Sequence, residues 1–311
     1  MINDCASVAE TLLKYLPSDI EKQLIKRTRG SWSKTLGIAY KILRAHGDIY
    51  QANYLLQDCY IALHMGKTPL IGYAVGSDLR VGIKHWLWGR VIKYNLKSCN
   101  KIMVSTSDLI DIVKPFRKDA EYLPPPVDPE FFYPKPTTKR AGKKEVLIAS
   151  NLWWQGKGTH IAVRALGRIK NEINLSIIAQ GPDLERTVKL ASSLGLNPKV
   201  LPKIEHKKIN EYYWNSDLII DQFRVGCPGT VAIEAIACNR PAITYVSSEL
   251  QEYEEFEPKD VKSEDKIVEA VRQAFKDEST LKSQLNYVSR HHNLESVIKR
   301  LGDIYDSVIR N

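Results

Sequence analysis

Two stretches of this 311-residue chain combine residue types suited to holding an anion and a set of hydroxyl donors. In the first, Asn151-Leu-Trp-Trp-Gln-Gly-Lys-Gly-Thr159 follows a short apolar run. Gly156 and Gly158 free the backbone for close approach, and Lys157 supplies a positive charge. Thr159 stands where it would cap a following helix, whose first amides favour an anion. The spacing is not that of a Walker A loop, which needs Ser or Thr directly after the lysine where this chain has Gly158. A glycine-rich turn with a solvated lysine has the same composition, so this stretch alone leaves both readings open.

The second stretch runs from Asp221 to Cys238. A buried strand is expected to end at Asp221-Gln222, the chain to turn through Gly226, Pro228 and Gly229, and an almost wholly apolar helix to begin near Thr230. Glu234 is the anomaly, because it lies between Ile233 and Ala235 in a helix too apolar to face water, and a buried carboxylate needs donors. The hydroxyls of a ribose would serve, while the amides at the helix start, around Gly229 and Thr230, would serve a phosphate. Neighbouring backbone or an arginine would satisfy Glu234 equally well.

These stretches need a scaffold, and the hydrophobic pattern supplies one. Apolar runs at 146–150, 175–179, 199–201, 218–221 and 241–245 read as buried strands. Between them lie helical patterns, one with Ala162, Ala165, Leu166 and Ile169 on a single face, the others near 184–194, 208–215 and 230–238. Such alternation predicts a parallel sheet wrapped on both faces, with ligands beyond the carboxyl ends of its strands. The first half repeats the pattern more loosely, with helices near 5–16, 34–45, 55–66 and 80–98 around strands at 48–52, 69–74 and 101–105. No strand precedes the first helix, so the first domain either lacks its usual opening strand or is missing its start. Prolines at 124–126, 129, 134 and 136 mark a linker. The expected architecture is therefore α/β, with a Rossmann-like domain over 1–133, a second over 145–290, a cleft between them, and a terminal helical segment, 291–311, packing back on the first.

Charge and composition bound the partners. The net charge of +9 divides into +7 over residues 1–122 and +2 over the remainder. This bias favours an anionic partner such as a phosphorylated substrate or an acidic membrane surface, with nucleic acid the outside option, and an ordinary solvated basic face would account for it equally well. Lys84-His-Trp-Leu-Trp-Gly-Arg-Val-Ile-Lys-Tyr94 mixes cations with tryptophans in a way that suits a membrane interface, although Trp88, Val91 and Ile92 fit a core equally well. There is no run of apolar residues long enough to span a bilayer and no charged-then-apolar leader. Five scattered cysteines without ligand spacing suggest a reducing cytoplasm and no structural zinc. Asp78, at a predicted strand end, either faces a ligand as a contact or base, or caps the next helix.

Taken together, Lys157-Gly158-Thr159, Gly181-Pro182, Tyr212-Tyr-Trp-Asn-Ser-Asp217 and Gly229-Thr-Val-Ala-Ile-Glu-Ala-Ile-Ala-Cys-Asn-Arg-Pro-Ala242 resemble the donor domain of GT-B fold glycosyltransferases of family 4, the glycosyl transferases group 1. Gly76-Ser-Asp-Leu-Arg80, Ser105-Thr-Ser-Asp-Leu109 and Leu123-Pro-Pro-Pro-Val-Asp128 resemble acceptor-domain landmarks of the same family. The resemblance covers roughly residues 60–250. It implies a retaining, metal-independent transfer of a sugar from a UDP- or GDP-sugar to a hydroxyl acceptor, of which a lipid-linked glycan is one class, with no permanently bound cofactor. Lys157 would neutralise the diphosphate, Gly229 and Thr230 would hold phosphate or sugar, and Glu234 would accept from the ribose. Gly158, Gly181, Asp221, Gln222 and Gly226 would complete the donor site, with Asp78 on the acceptor side.

Three positions depart from the family pattern. A Glu usual eight residues before the ribose-binding Glu is Gly226, an arginine often found upstream of the motif lysine is absent, and the His often preceding Gly-Ser-Asp is Val75. A family variant with Asp-Gln at the strand end resembles Asp221-Gln222. Two other readings stay open, a nucleotide-sugar-binding regulatory subunit without catalysis and a nucleotide-sugar epimerase of the same fold.

Overall fold

The computed structural model describes residues 1–4, 7–27, 36–136 and 142–310, so Cys5 and the opening residues of the helices expected over 5–16 and 34–45 lie outside it. The chain divides into two compact units, residues 1–126 with 293–311, and residues 127–292.

The first unit contains α1 (Val8–Tyr15), α2 (Leu36–Arg44), β1 (Tyr50–Asn53), α3 (Gln57–His64) and β2 (Leu70–Ala74). It continues through α4 (Ser77–Arg80), α5 (Trp88–Ser98), β3 (Lys101–Val104), α6 (Asp108–Val113) and β4 (Glu121–Tyr122). The strands pair in parallel in the order β1-β2-β3-β4. Where the sequence shows no opening strand, one residue pairs: the Ile2 amide donates to the Gln51 carbonyl at 2.7 Å, and the Ile2 carbonyl accepts from Asn53 at 2.9 Å. The single helix expected over 80–98 is instead two helices separated by a 3-10 turn, Gly82–Lys84. Gly89 seats against that turn, since a Cβ there would lie 2.4 Å from the Ile83 carbonyl oxygen.

Strand side chains alternate between two apolar layers. Leu70, Ala74, Ile102 and Val104 pack with Ile38, Cys59, Ile92 and Leu109 of α2, α3, α5 and α6. Ile71, Tyr73 and Met103 pack on the opposite face with Val8 and Leu12 of α1 and with Val297, Leu301 and Ile304. These last three belong to the chain's final helix, Leu294–Ile309, capped by the Asn293 side chain, which accepts from the Ser296 amide.

The second unit contains β5 (Lys144–Ile148), α7 (Trp154–Lys157), α8 (Thr159–Gly167), β6 (Ile173–Ile178), α9 (Leu184–Ser193) and β7 (Lys199–Leu201). After these come α10 (Ile209–Trp214), β8 (Leu218–Ile220), α11 (Thr230–Ala237), β9 (Ala242–Ile243), α12 (Glu264–Lys276) and α13 (Ser279–His291). All five strands are parallel, in the order β7-β6-β5-β8-β9. Val146 and Ile148 face α8, α9 and α12, where they meet Ala162, Ala191 and Ile267. Leu147 and Ile219 face α10, α11 and α13, where they meet Tyr213, Ala232 and Tyr287. The strand order reverses between β5 and β8, so the connections leaving their carboxyl ends diverge to opposite faces and leave room for a ligand there.

Candidate functional site

Every donor-site residue expected from the sequence lies in a connection leaving the carboxyl end of β5, β6 or β8, or on the helix such a connection enters. Asp221 and Gln222, directly after β8, organise the rest. Asp221 is fully buried, and its Oδ2 accepts from the Gly229 amide at 2.8 Å, which fixes the start of α11. Gly229 is required there, because a Cβ would stand 2.6 Å from that same oxygen. Gln222 Oε1 accepts from Lys157 Nζ at 2.5 Å, and its Nε2 donates to the Cys227 carbonyl at 2.7 Å. Consecutive side chains thus hold a cation and a helix N-terminus. The Gly229 amide is occupied by Asp221, which leaves Thr230, Val231 and Ala232 as the first-turn amides without an intrahelical acceptor.

Three glycines have distinct structural reasons. Gly158, at φ +71°, joins α7 to α8 and lies against Phe223 and Arg224. Gly181, at φ +114°, lets the connection after β6 touch the one after β5, since a Cβ would stand 2.5 Å from the Leu152 amide nitrogen. Gly226, at φ +84°, is the position where the resemblance drawn from the sequence leads to an expectation of Glu. A side chain in that left-handed conformation would be strained by about 1–3 kcal/mol. Two sequence expectations change. Thr159 does not cap α8: Gly158 holds the N-cap position and the Thr159 hydroxyl is buried without a hydrogen-bond partner, because α7 runs directly into α8. The space above Gly156 is filled by the Trp153 ring, 2.2 Å from where a Cβ would be, so this glycine seats an indole.

Glu234 is 9% exposed on α11. Its Oε1 bonds His206 Nε2 at 2.6 Å, and its Oε2 accepts from the Tyr213 hydroxyl at 3.3 Å. The donors are therefore neither backbone nor arginine but two side chains from the connection after β7 and from α10. A carboxylate has about four acceptor directions, so each oxygen retains one. His206 escaped sequence reasoning because it belongs to no motif; its signal is its place after the carboxyl end of β7. Tyr213 lies within the Tyr212–Asp217 segment, and burial raises its phenol well above the ordinary range.

In the first unit, Asp78 is fully buried in α4, and its two oxygens accept from Leu55 at 3.0 Å and Gly76 at 2.9 Å. Arg80 joins two of the sequence landmarks by donating to both Asp108 oxygens at 2.8 Å and to the Thr106 hydroxyl at 2.6 Å.

Comparison with known proteins places this geometry in a class. The chain shares its fold with sucrose-phosphate synthase from Thermosynechococcus elongatus at 16% identity and a TM-score of 0.74, over 94% of this chain and 86% of that one. It is similar to Anabaena HepE solved in complex with UDP-glucose, at 14% identity and a TM-score of 0.76 over 98% of each chain. WaaG, a glycosyltransferase involved in lipopolysaccharide biosynthesis, aligns at 13% identity and a TM-score of 0.63, over 97% of this chain and 96% of that one. The fold is GT-B, with two Rossmann-like domains. The glycosyl transferases group 1 family matches residues 130–292, more than half of the sequence, and the chain belongs to that family. No curated protein matches it in sequence.

Burial holds the Asp221 carboxyl above its ordinary value of 3.8, against the opposing pull of Lys157 and the Gly229 amide. The folded state then binds more protons than the unfolded state between the two values, so stability falls as pH rises from about 3.8 through the raised pKa. Asp78, also raised by burial, contributes with the same sign. Asp221→Asn is expected to flatten its share of that fall in denaturant unfolding across a pH series, and an unchanged slope would remove Asp221 from the titration.

Proposed function

We propose that the second unit binds a nucleoside-diphosphate sugar, UDP- or GDP-linked, and that the protein transfers the sugar to a hydroxyl acceptor with retention of configuration and without an obligatory metal ion. The observation that carries this reading is the tethering of Lys157 and the start of α11 by the consecutive residues Gln222 and Asp221. Departure of the sugar leaves the bonding electron pair on the diphosphate. A fixed cation and the amides of Thr230, Val231 and Ala232 stabilise that growing charge more than the ground state. Glu234, with one acceptor direction left on each oxygen, suits the two ribose hydroxyls. Gly158, Gly181 and Gly226 shape the backbone around them. In this reading the first unit takes the acceptor, and Asp78 is a positioning residue that ties the 75–79 connection to Leu55.

A second reading, a nucleotide-binding subunit without catalysis, is favoured by Gly226, whose φ of +84° disfavours the usual Glu side chain. Nucleotide binding without turnover across a panel of acceptors would select it.

The acceptor is proposed to be lipid-linked and met at the cytoplasmic membrane surface. Among the described residues no helix is long and apolar enough to cross a membrane. Trp86, 72% exposed, and Leu87, 42% exposed, stand beside the exposed Lys84, Arg90 and Lys93, a combination suited to an anionic interface.

Calorimetric titration with UDP and GDP tests the donor site. Glu234→Ala and Lys157→Ala are each expected to weaken the preferred nucleotide by roughly 1–3 kcal/mol, and unchanged affinity in a folded variant would remove that residue from the site. In co-sedimentation, the chain is expected to bind phosphatidylglycerol vesicles more than phosphatidylcholine vesicles, and Trp86→Ala to release it. Equal retention of variant and wild type would place the contact elsewhere.

A further inference from the structure

Beside the donor-site residues, and not including Lys157 among its walls, lies a cavity of about 430 Å³ at the entrances of α7, α8 and α9. Its volume is that of a small-ligand pocket. Trp154 forms one wall and is fixed at both ends, its indole N–H donating to the Thr187 hydroxyl at 2.8 Å and its amide to Asp183 Oδ2 at 2.8 Å. The Arg186 guanidinium lies 4.3 Å over that indole and donates to Asp183 Oδ1 at 3.0 Å. Asp183, the only acidic wall residue, thus has both oxygens engaged. Arg224 has no hydrogen bond or ion pair among the described residues, although it is brought to the cavity by the same β8 connection that holds Lys157. His160 completes this corner: its ring stands 4.9 Å from Trp154, and its Nδ1 is buried without a hydrogen-bond partner among the described residues.

The electrostatics are one-sided. Two arginines face a single committed carboxylate. Burial, and after it the charges of Arg224 and Arg164, hold His160 below its ordinary value, as expected in a pocket that lacks its counter-charge. A guanidinium fork is matched to the oxygens of a phosphate or carboxylate. The Trp153 indole also lines the cavity and suits the apolar face of a sugar ring, whereas the Trp154 indole is covered by Arg186.

We propose that this cavity is a second sugar site, selective for a sugar that carries a phosphate or carboxylate group, with Arg224 as its principal anion contact. The inference goes beyond the glycosyl-transfer reading and stands on the cavity alone.

The test is calorimetry on the full chain with glucose 6-phosphate, glucuronate, inorganic phosphate and glucose, with UDP and GDP titrated in parallel. At least one of the two acidic sugars is expected to bind, which one distinguishing phosphate from carboxylate as the group recognised, and to bind more tightly than phosphate or glucose. Arg224→Gln is expected to weaken that sugar roughly tenfold or more while leaving UDP affinity within about twofold. Trp154→Phe, which keeps an aromatic wall, is expected to weaken it less than Arg224→Gln. Equal binding of glucose and the acidic sugars, equal binding of phosphate alone, no binding of either acidic sugar, or indifference to Arg224→Gln would overturn the proposal. A loss of UDP affinity as large as the loss for the acidic sugar would also overturn it, by merging the cavity with the donor site. Binding of an acidic sugar with no binding of UDP or GDP would instead retain the cavity and defeat the donor-site reading.

Discussion

The site depends on how two consecutive side chains are used where β8 ends. Asp221 takes the Gly229 amide and so sets where α11 begins; Gln222 takes Lys157 and so sets where the cation stands. Both are buried and follow directly on an interior strand of a five-stranded parallel sheet, so neither can drift without disturbing the core. The arrangement has a cost. Asp221 Oδ1 is buried without a hydrogen-bond partner, and its carboxyl is raised by desolvation. A fold that accepts this in its interior, together with a glycine whose missing Cβ lets the carboxylate reach its amide, is built around the placement of α11.

The same logic extends outward. Gly181 brings the connection after β6 onto the one after β5, and the Ser150 hydroxyl donates to the Asp221 carbonyl at 3.0 Å, so three strand ends are laced together. Across the sheet, Glu234 is oriented by His206 and Tyr213, which come from the connection after β7 and from α10. A ligand meeting Lys157 and Glu234 would therefore contact positions preset by four of the five strands of this unit. Preorganisation of this kind is what makes charge stabilisation effective, since little has to reorient as charge develops.

Much of this was legible in the residues because the driving pattern is local. Buried parallel strands such as β5, β6 and β8 read as apolar runs. β7 was expected as a buried strand at 199–201 and lies at those residues, but it is largely exposed because it forms the edge of the sheet. The edges moved where burial outlasts pairing: Ala149 and Ser150 are buried but lie beyond the ladder of β5. β4, Glu121–Tyr122, is short and half-exposed and carries no apolar signal. The strand-end glycines and Glu234 stood out because their residue types conflict with their surroundings. What spacing could not supply was the identity of partners across the sheet. His206 and Tyr213 reach Glu234 from 28 and 21 residues away, and Trp153 fills the space over Gly156 that a backbone reading assigns to a ligand. Arg224 carried no signal either, since its surroundings come from the connections after β5 and β6 and the helices they enter rather than from its own connection.

The central claim is that one nucleotide engages both halves of this arrangement. A crystal structure of the chain with UDP bound tests it most directly. The ribose hydroxyls are expected on the Glu234 carboxylate and the diphosphate between Lys157 and the first turn of α11. A nucleotide bound elsewhere, with Glu234 still held only by His206 and Tyr213 and Lys157 still on Gln222, would contradict it.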